Sequence, residues 1–409
     1  MDIPGFPARR AALTLIDAVL RRGETLDQAA SSALGRVKGD ADRALARAIA
    51  SEVLRWRRDL DALIDSATAQ VLPADAKPRA VLEIMLAQVL RLDTPPHAVI
   101  ATGLPLLAGG PRRLAHGVFS TLMKRGVSLP QAPGLPDAAA ARWGERAGAI
   151  AAGLAEPPPL DLTLRDPAET DLWAERLGGV SLLPGHLRLP RGAAVEGLAG
   201  FGEGAWWVQD LAAGLPVRLL GEGRGRRVLD LCAAPGGKTL QLAAAGWDVT
   251  ALDIAGRRIQ RLRDNLARTS LHAEVVQADA LAWEPPAPFD AILLDAPCTA
   301  TGTCRRHPDV LHRIGARQIA DMVPLQQRLL DRAARWLNPG GTLVYAVCSL
   351  EPDEGVGQAA RVRLSPDPIL ATELPAGLAP TGDGWLLTDP GMLSEAGGLD
   401  GFFVARWCR

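Results

Sequence analysis

The stretch Arg227-Val228-Leu229-Asp230-Leu231-Cys232-Ala233-Ala234-Pro235-Gly236-Gly237-Lys238-Thr239 decides how this chain is read. A short Val/Leu-rich run leads into a Pro-Gly-Gly turn and then a helical segment. That is a buried strand, a tight turn and a helix. A glycine turn at such a junction brings bare backbone N–H groups close to a ligand. Cys232, Ala233, Ala234, Pro235, Gly236, Gly237 and Lys238 are therefore the candidate binding loop. The loop is not a P-loop, because that motif needs a glycine where Cys232 stands. Nor is it a dinucleotide fingerprint: Gly221-Glu222-Gly223 precedes the strand and lies on its wrong side.

Four further strand-like runs follow, 249–253, 274–279, 291–295 and 342–347, with helical segments between them. This alternation predicts a doubly wound, Rossmann-like α/β domain with a parallel sheet and helices on both faces. Ligands of such sheets bind outside the carboxyl ends of the strands. The second run ends in Asp253, placed to accept hydrogen bonds from ribose hydroxyls, and the third in Asp279, where an adenine would lie. A lone strand-end aspartate reads as a helix cap. Two in succession behind a glycine turn favour an adenosine cofactor without a diphosphate, and S-adenosyl-L-methionine is the candidate.

The fourth run delivers Asp295-Ala296-Pro297-Cys298 and the fifth Val347-Cys348-Ser349. A buried cysteine is ordinarily a small hydrophobe, the reading given to Cys304 and Cys408. Cys298 and Cys348 instead end strands that open onto the cleft. No ligand set for a metal accompanies them.

Upstream, residues 1–127 read as helix almost throughout. Leu13, Ile16 and Leu20 recur at helical spacing, as do Leu45, Ile49 and Val53, then Leu60 and Ile64. Val81, Leu82, Met85, Leu86, Val89 and Leu90 form a broad stripe behind Pro78, and Leu114, Val118, Phe119 and Leu122 mark a last helix. Three prolines and a glycine in 128–136 signal a boundary. Helix returns over 137–155 and stops at Pro157-Pro158-Pro159. Short alternating stretches from 160 to 198 flank a helix at 169–177. The expected organisation is an all-α bundle (1–130), a small α+β module (137–204) and the α/β domain (205–409).

A chain of 409 residues with 48% hydrophobic and 22% charged residues fits a globular protein of two to three domains and excludes a mostly disordered or fibrous one. No uncharged apolar run reaches about 18 residues, so no membrane partner is expected. The start, Met1-Asp2-Ile3-Pro4 through Arg9-Arg10, lacks the apolar core of a secretory signal. Five cysteines without a CxxC pair disfavour a disulfide scaffold and point to the cytoplasm. Residues 1–130 carry 18 Lys+Arg against 13 Asp+Glu, and the remainder 27 against 33. A basic end on an acidic body suits an anionic partner, although a solvated surface accounts for the charge equally well.

Cys232–Lys238, Asp295–Cys298 and Val347-Cys348-Ser349 resemble motifs I, IV and VI of the Sun/nucleolar-protein family of RNA cytosine-5 methyltransferases. The likeness extends to Trp207-Val208-Gln209-Asp210, Arg305-Arg306-His307-Pro308 and Asp400-Gly401-Phe402-Phe403. The N-terminal bundle, with Pro95-Pro96-His97-Ala98, resembles the NusB-like domain of the bacterial member that methylates 16S ribosomal RNA. Three departures stand out. Val347 replaces a usual Thr, Glu156 replaces an Asn before the prolines, and the 160–200 module is short.

The resemblance implies an S-adenosylmethionine-dependent enzyme acting on RNA, with 16S ribosomal RNA as the expected substrate, neither DNA nor membrane as partner, and a monomeric chain. Cys348 would attack cytosine C6, Asp295 would bond the base at N3/N4, Lys238 would favour the thiolate, and Cys298 would help release the product. The loop 232–238, Asp253, Asp279 and Asp295 would hold the cofactor. DNA cytosine methyltransferases attack with a Pro-Cys like Pro297-Cys298, so both sulfurs stay open as nucleophile at this stage. A transfer RNA substrate, or a non-catalytic RNA-binding or assembly factor, are the alternative functions. Arg257, Arg258, Arg261, Arg263 and Arg268 follow Asp253, and Arg258 reads equally as a cofactor contact or as part of a solvated basic face; Arg305, Arg306 and His307 are placed for phosphate contact, and Trp206 and Trp207 read as core.

Overall fold

The computed structural model describes residues 3–409. Met1 and Asp2, which open the stretch weighed against a secretory signal, lie outside the described residues. The chain divides into two compact units. One holds the chain up to Glu156 together with Arg306–Gly315, and the other holds Pro157–Arg305 and Ala316–Arg409.

The first unit is helical: Phe6–Arg22, Leu26–Leu34, Asp40–Ser66, Lys77–Arg91, Pro96–Gly103, Gly109–Arg125, Asp137–Trp143, Ala147–Gly153 and the short Val310–Arg313. The periodic residues pack as their spacing predicts. Ile16, Ile49, Val53, Leu60, Ile64, Val81, Leu82, Met85, Leu86, Phe119 and Leu122 share one core with Trp56. Pro78 sits in the first turn of Lys77–Arg91, where its missing N–H costs nothing. Leu114 departs from expectation: it is 41% exposed, and Ala115 takes the inward position. The proline-rich stretch 128–136 is pinned to the long helix by Gly134 N–H donating to Asp59 Oδ2 (2.8 Å) and Arg58 donating to Leu135 O (2.8 Å). In the segment 306–315, His312 Nε2 lies 2.7 Å from Leu54 O, and Arg313 Nε donates to Asp309 Oδ2 at 2.9 Å.

The second unit carries two sheets. Strands β1 (Leu160–Leu164), β2 (His186–Leu189) and β3 (Trp206–Val208) form a small antiparallel sheet in the order β2-β1-β3. Trp206 and Trp207 are buried, as read from sequence. Asp161 in β1, fully buried, accepts from Arg188 Nε and Nη2 of β2 (2.7 and 2.8 Å) and from Leu211 N–H (3.0 Å).

The main sheet contains β4 (Arg227–Leu231), β5 (Asp248–Asp253), β6 (Glu274–Gln277), β7 (Phe289–Asp295), β8 (Leu337–Val347), β9 (Ser365–Pro366), β10 (Leu386–Thr388) and β11 (Phe402–Cys408). Its order is β10-β11-β8-β7-β4-β5-β6, with β9 on β11. All five strands expected from sequence are present and mutually parallel. The sheet as a whole is mixed, because β11 runs antiparallel to β8 and to β10. The two faces are covered differently. Val228, Ala291, Leu293, Val344 and Val404 pack with Leu211, Leu215 and Leu242, whereas Leu229, Ile292, Leu343, Tyr345 and Ala405 pack with Leu329, Leu330 and Trp336. Alternate residues of one strand thus face opposite helical layers. Strand order reverses between β4 and its neighbours β5 and β7, which opens a crevice at their carboxyl ends.

Candidate active site

The loop after β4 begins with Cys232 in a left-handed backbone conformation (φ 67°). The N–H groups of Cys232 and Ala233 donate to Leu252 O at 2.9 and 3.1 Å, tying the loop to β5. The Ala234–Pro235 peptide is cis. Gly236, at φ 107°, occupies a conformation that L side chains rarely adopt, and a Cβ there would stand 3.0 Å from Leu262 Cγ. Gly236 opens helix Gly237–Ala244, whose first turn has no side-chain cap. Its leading N–H groups therefore remain for an anion.

Asp253 ends β5 and is buried. Its Oδ2 accepts from Ala234 N–H (3.1 Å), and its Oδ1 accepts from Ala255 N–H (2.8 Å) and Arg258 Nη2 (3.2 Å). A carboxylate offers about four lone-pair positions, so one on Oδ2 stays open to a hydroxyl. Arg258 thus reaches the site through Asp253. Ile254, the next residue, is 62% exposed. Sequence reading passed it over, although an apolar residue directly after a strand-end acid is a readable signal. Asp279 lies two residues beyond β6, exposed, and accepts from Leu281 N–H at 2.9 Å. Among the described residues it makes no hydrogen bond to the loop.

The other half of the crevice comes from β7 and β8, which pair in parallel with Asp295 opposite Ala346. Cys298 and Cys348 follow these strands, and their sulfurs lie 3.5 Å apart. The hydrogen bond with Cys348, then burial, push the Cys298 thiol well above its usual range, which favours its protonated form. Burial with the Asp253 charge likewise pushes the Cys232 thiol up. Lys238 Nζ donates to Asp295 Oδ2 at 2.8 Å and stands 5.3 Å from the Phe402 ring centroid. Burial works against its ammonium form, but the Asp295 charge and hydrogen bond, with smaller help from Cys348 and Asp230, outweigh burial and raise its pKa.

The Asp400-Gly401-Phe402 stretch closes the crevice. Gly302 N–H donates to Cys348 O (3.0 Å) and Gly401 N–H to Gly302 O (2.8 Å). A Cβ on Gly302 would fall 1.9 Å from Gly401 O, so only glycine fits there. Asp210 accepts from Asp400 N–H at 3.1 Å, which joins the Trp207–Asp210 stretch to the same corner. Arg305 corrects an expectation. It is 2% exposed and donates to Gly397 O at 2.6 Å, so its guanidinium is committed to the fold and not to a phosphate; Arg306 is half-buried and His307 exposed. Cys304 is fully buried, as read. Among the described residues no group of three His, Cys, Asp or Glu side chains could hold a metal, and no helix is long and apolar enough to cross a membrane.

Asp230, under the loop in β4, was also missed. It is fully buried, accepts from Thr239 Oγ1 at 2.6 Å, and leaves Oδ1 without a partner. Burial pushes its pKa up to about 7, against the Thr239 hydrogen bond and helped by the Asp295 charge. The folded state then holds this proton to about pH 7, whereas the unfolded chain releases it near pH 4. The stability it contributes is full below about pH 4 and lost as pH rises through 7. Asp230→Asn keeps the Thr239 bond and removes the titration. Calorimetric melting should show the variant matching wild type at pH 4 and exceeding it at pH 8, by at most about 4 kcal/mol. A variant less stable than wild type at pH 8 would contradict this.

Comparison with known proteins agrees with this architecture. Residues 217–406 match the family model for the 16S rRNA methyltransferase RsmB/F, and residues 7–106 match the NusB family. The ribosomal RNA small subunit methyltransferase B of Pseudomonas putida is 35% identical over 97% of both chains. The enzyme of that name from Erwinia tasmaniensis is 44% identical over 54% of this chain; here, as with several other relatives, the match spans about half of their length. The crystal structure of PH0851 shares the fold over 99% of each chain, with a TM-score of 0.71 at 21% identity. With one relative 35% identical along nearly its full length, the chain belongs to the 16S rRNA methyltransferase RsmB/F family.

Proposed function

We propose that this protein transfers a methyl group from S-adenosyl-L-methionine to C5 of a cytosine in RNA, with 16S ribosomal RNA as substrate, through a covalent bond between Cys348 and C6. The observation that carries the proposal is the 3.5 Å pair of sulfurs at the ends of adjacent parallel strands, beside the Lys238–Asp295 ion pair. Small-molecule or N-directed methyl transfer needs no second cysteine there.

The residues present fit the cofactor. The open lone pair of Asp253 suits a ribose hydroxyl, exposed Ile254 suits an adenine face, and the uncapped N–H groups at Gly237 and Lys238 suit a carboxylate. When bound, it supplies an electrophilic sulfonium methyl. The chain's own groups do the rest. Cys348 sulfur bonds to C6, and the C5=C6 electron pair moves to C5, which takes the methyl. A base then removes the C5 proton, the electrons re-form C5=C6, and the C6–S bond breaks. Asp295 Oδ2 is held by Lys238, which leaves Oδ1 to accept from the cytosine N4 amine. Cys298, protonated next to the departing sulfur, is placed to assist its release. Reaching C6 requires the base to be unstacked, so the target lies in a loop, a single strand or a flipped nucleotide.

The test is methyl transfer from isotopically labelled cofactor to 16S ribosomal RNA and, separately, to transfer RNA, with nucleoside mass analysis. Labelled 5-methylcytidine in the ribosomal RNA is expected. Label in transfer RNA alone would overturn the substrate, and label at N4 or on ribose would overturn the chemistry.

A further inference from the structure

A buried carboxylate that the mechanism does not use lies directly behind the two sulfurs. Glu354 is 0% exposed. Thr299 N–H donates to it at 2.9 Å, and the Thr299 hydroxyl donates to it as well. Ser349 Oγ donates to Oε2 at 2.5 Å, and Gln326 Nε2 donates to Oε1 at 3.0 Å. Every one of these partners is a donor, which is the environment of an acceptor-only carboxylate. Thr299 is the residue after Cys298, and Ser349 is the residue after Cys348. Gln326 also donates to Pro297 O at 2.9 Å, on the other side of Cys298. The Glu354 backbone is held in turn by Tyr345 Oη, 2.6 Å from Glu354 O. A second strap, Thr301 Oγ1 accepting from Leu350 N–H at 3.0 Å, joins the same two loops.

We propose that Glu354 is the positioning residue that clamps the Cys298 loop to the Cys348 loop and fixes the spacing of the two sulfurs. The proposal deepens the reading above and rests on it for the role of that spacing in turnover. The clamp has a physical rationale. The two loops come from different strands, 50 residues apart, and each is short of regular structure where its cysteine sits. A charge-assisted carboxylate with donors from both loops holds them more stiffly than neutral contacts. An error of about 1 Å in such a pair costs on the order of 10²-fold in rate. Replacing Oε1 by an amide N–H₂ sets donor against donor at Thr299 N–H and Gln326 Nε2, whereas replacing Oε2 forces the Thr299 and Ser349 hydroxyls to turn from donating to accepting; either way the charge that strengthens the clamp is lost.

The test uses Glu354→Gln, with Ser349→Ala as a milder variant that removes a single donor. One readout needs no RNA: binding of phenylarsine oxide, whose arsenic bridges two thiols only when they are close, followed by loss of both free thiols. The second is the kcat and KM of cytosine methylation, with cofactor affinity and melting temperature measured alongside. Glu354→Gln is expected to lose arsenical bridging at Cys298–Cys348. Its kcat should fall by about 10- to 100-fold, while a folded protein keeps its cofactor affinity. Ser349→Ala is expected to fall between it and wild type. Retained bridging in Glu354→Gln, or wild-type kcat in both variants, would overturn the clamp. If the wild type bridges arsenic but methylates no RNA, the functional reading fails by itself, and the arsenical comparison still decides the clamp.

Discussion

Cys348→Ala is expected to lower kcat for cytosine methylation by about 10⁴-fold or more, with cofactor affinity unchanged. Cytosine C5 is a poor nucleophile until a group adds at C6, so losing the attacking sulfur removes the route and not a fraction of the rate. Cofactor affinity is expected to stay because the loop 232–238 follows β4 and Asp253 ends β5, and among the described residues none of their hydrogen bonds runs through Cys348. Cys298→Ala should behave differently. It leaves the Cys348 sulfur in place and removes its hydrogen-bonded, protonated neighbour. Attack and methyl transfer continue and release slows, so enzyme accumulates on RNA. A Cys348→Ala enzyme within tenfold of wild type (roughly 1.4 kcal/mol in barrier) would show that another group attacks.

Asp161→Ala is expected to be the most destabilising single change in the small sheet, costing about 3–5 kcal/mol. Arg188 is 5% exposed and grips Asp161 through two parallel hydrogen bonds, with Leu211 N–H a third donor. Removing the carboxylate leaves a buried guanidinium without its counter-charge, held among the described residues only through Ala396 O, and leaves Leu211 N–H without its acceptor. Burial alone would raise the Asp161 pKa, but Arg188 and His186 overcome it and hold the carboxyl below its usual range. The stability from this group is therefore present above about pH 4 and lost as pH falls further. Thermal melting checks both points: a drop on the order of 10 °C at pH 7 that shrinks at acid pH. Joint replacement, Asp161→Leu with Arg188→Met, should recover much of the loss, because no charge is then left buried. A single variant that melts like wild type would contradict the account.

Much of this molecule is written in local patterns. Helical spacing in the first 127 residues marks Ile49, Val53, Leu82 and Phe119 as core, and the fold buries them together. The apolar runs ending in Asp295 and just before Cys348 are adjacent parallel strands, with the run ending in Asp253 one strand further along beyond β4, because chain order and right-handed crossovers leave few alternatives. That adjacency brings Cys298 and Cys348 together from 50 residues apart. What escaped the sequence has no local signature. The antiparallel β11 is a strand by composition, but its partner β8 ends 55 residues earlier. Glu354 and Asp230 are acids inside a core, the least expected place for them: Glu354 is answered by donors from Thr299, Gln326 and Ser349, whereas Asp230 has Thr239 and a pKa pushed up by burial. Arg305 lies beside exposed His307 and reads as a surface cation, yet its guanidinium turns inward to Gly397. Leu114 fits the apolar stripe by residue type, but Ala115 holds the inward place and Leu114 falls outside it.

The central claim is that the two sulfurs divide attack from release. It is tested most directly by expressing wild type, Cys298→Ala and Cys348→Ala in cells and resolving each on a denaturing gel before and after nuclease, with the bound RNA sequenced. The account predicts a nuclease-sensitive slower band for Cys298→Ala alone, with the nucleotide attached to the peptide that contains Cys348. A slower band for Cys348→Ala alone would contradict it and reverse the two roles.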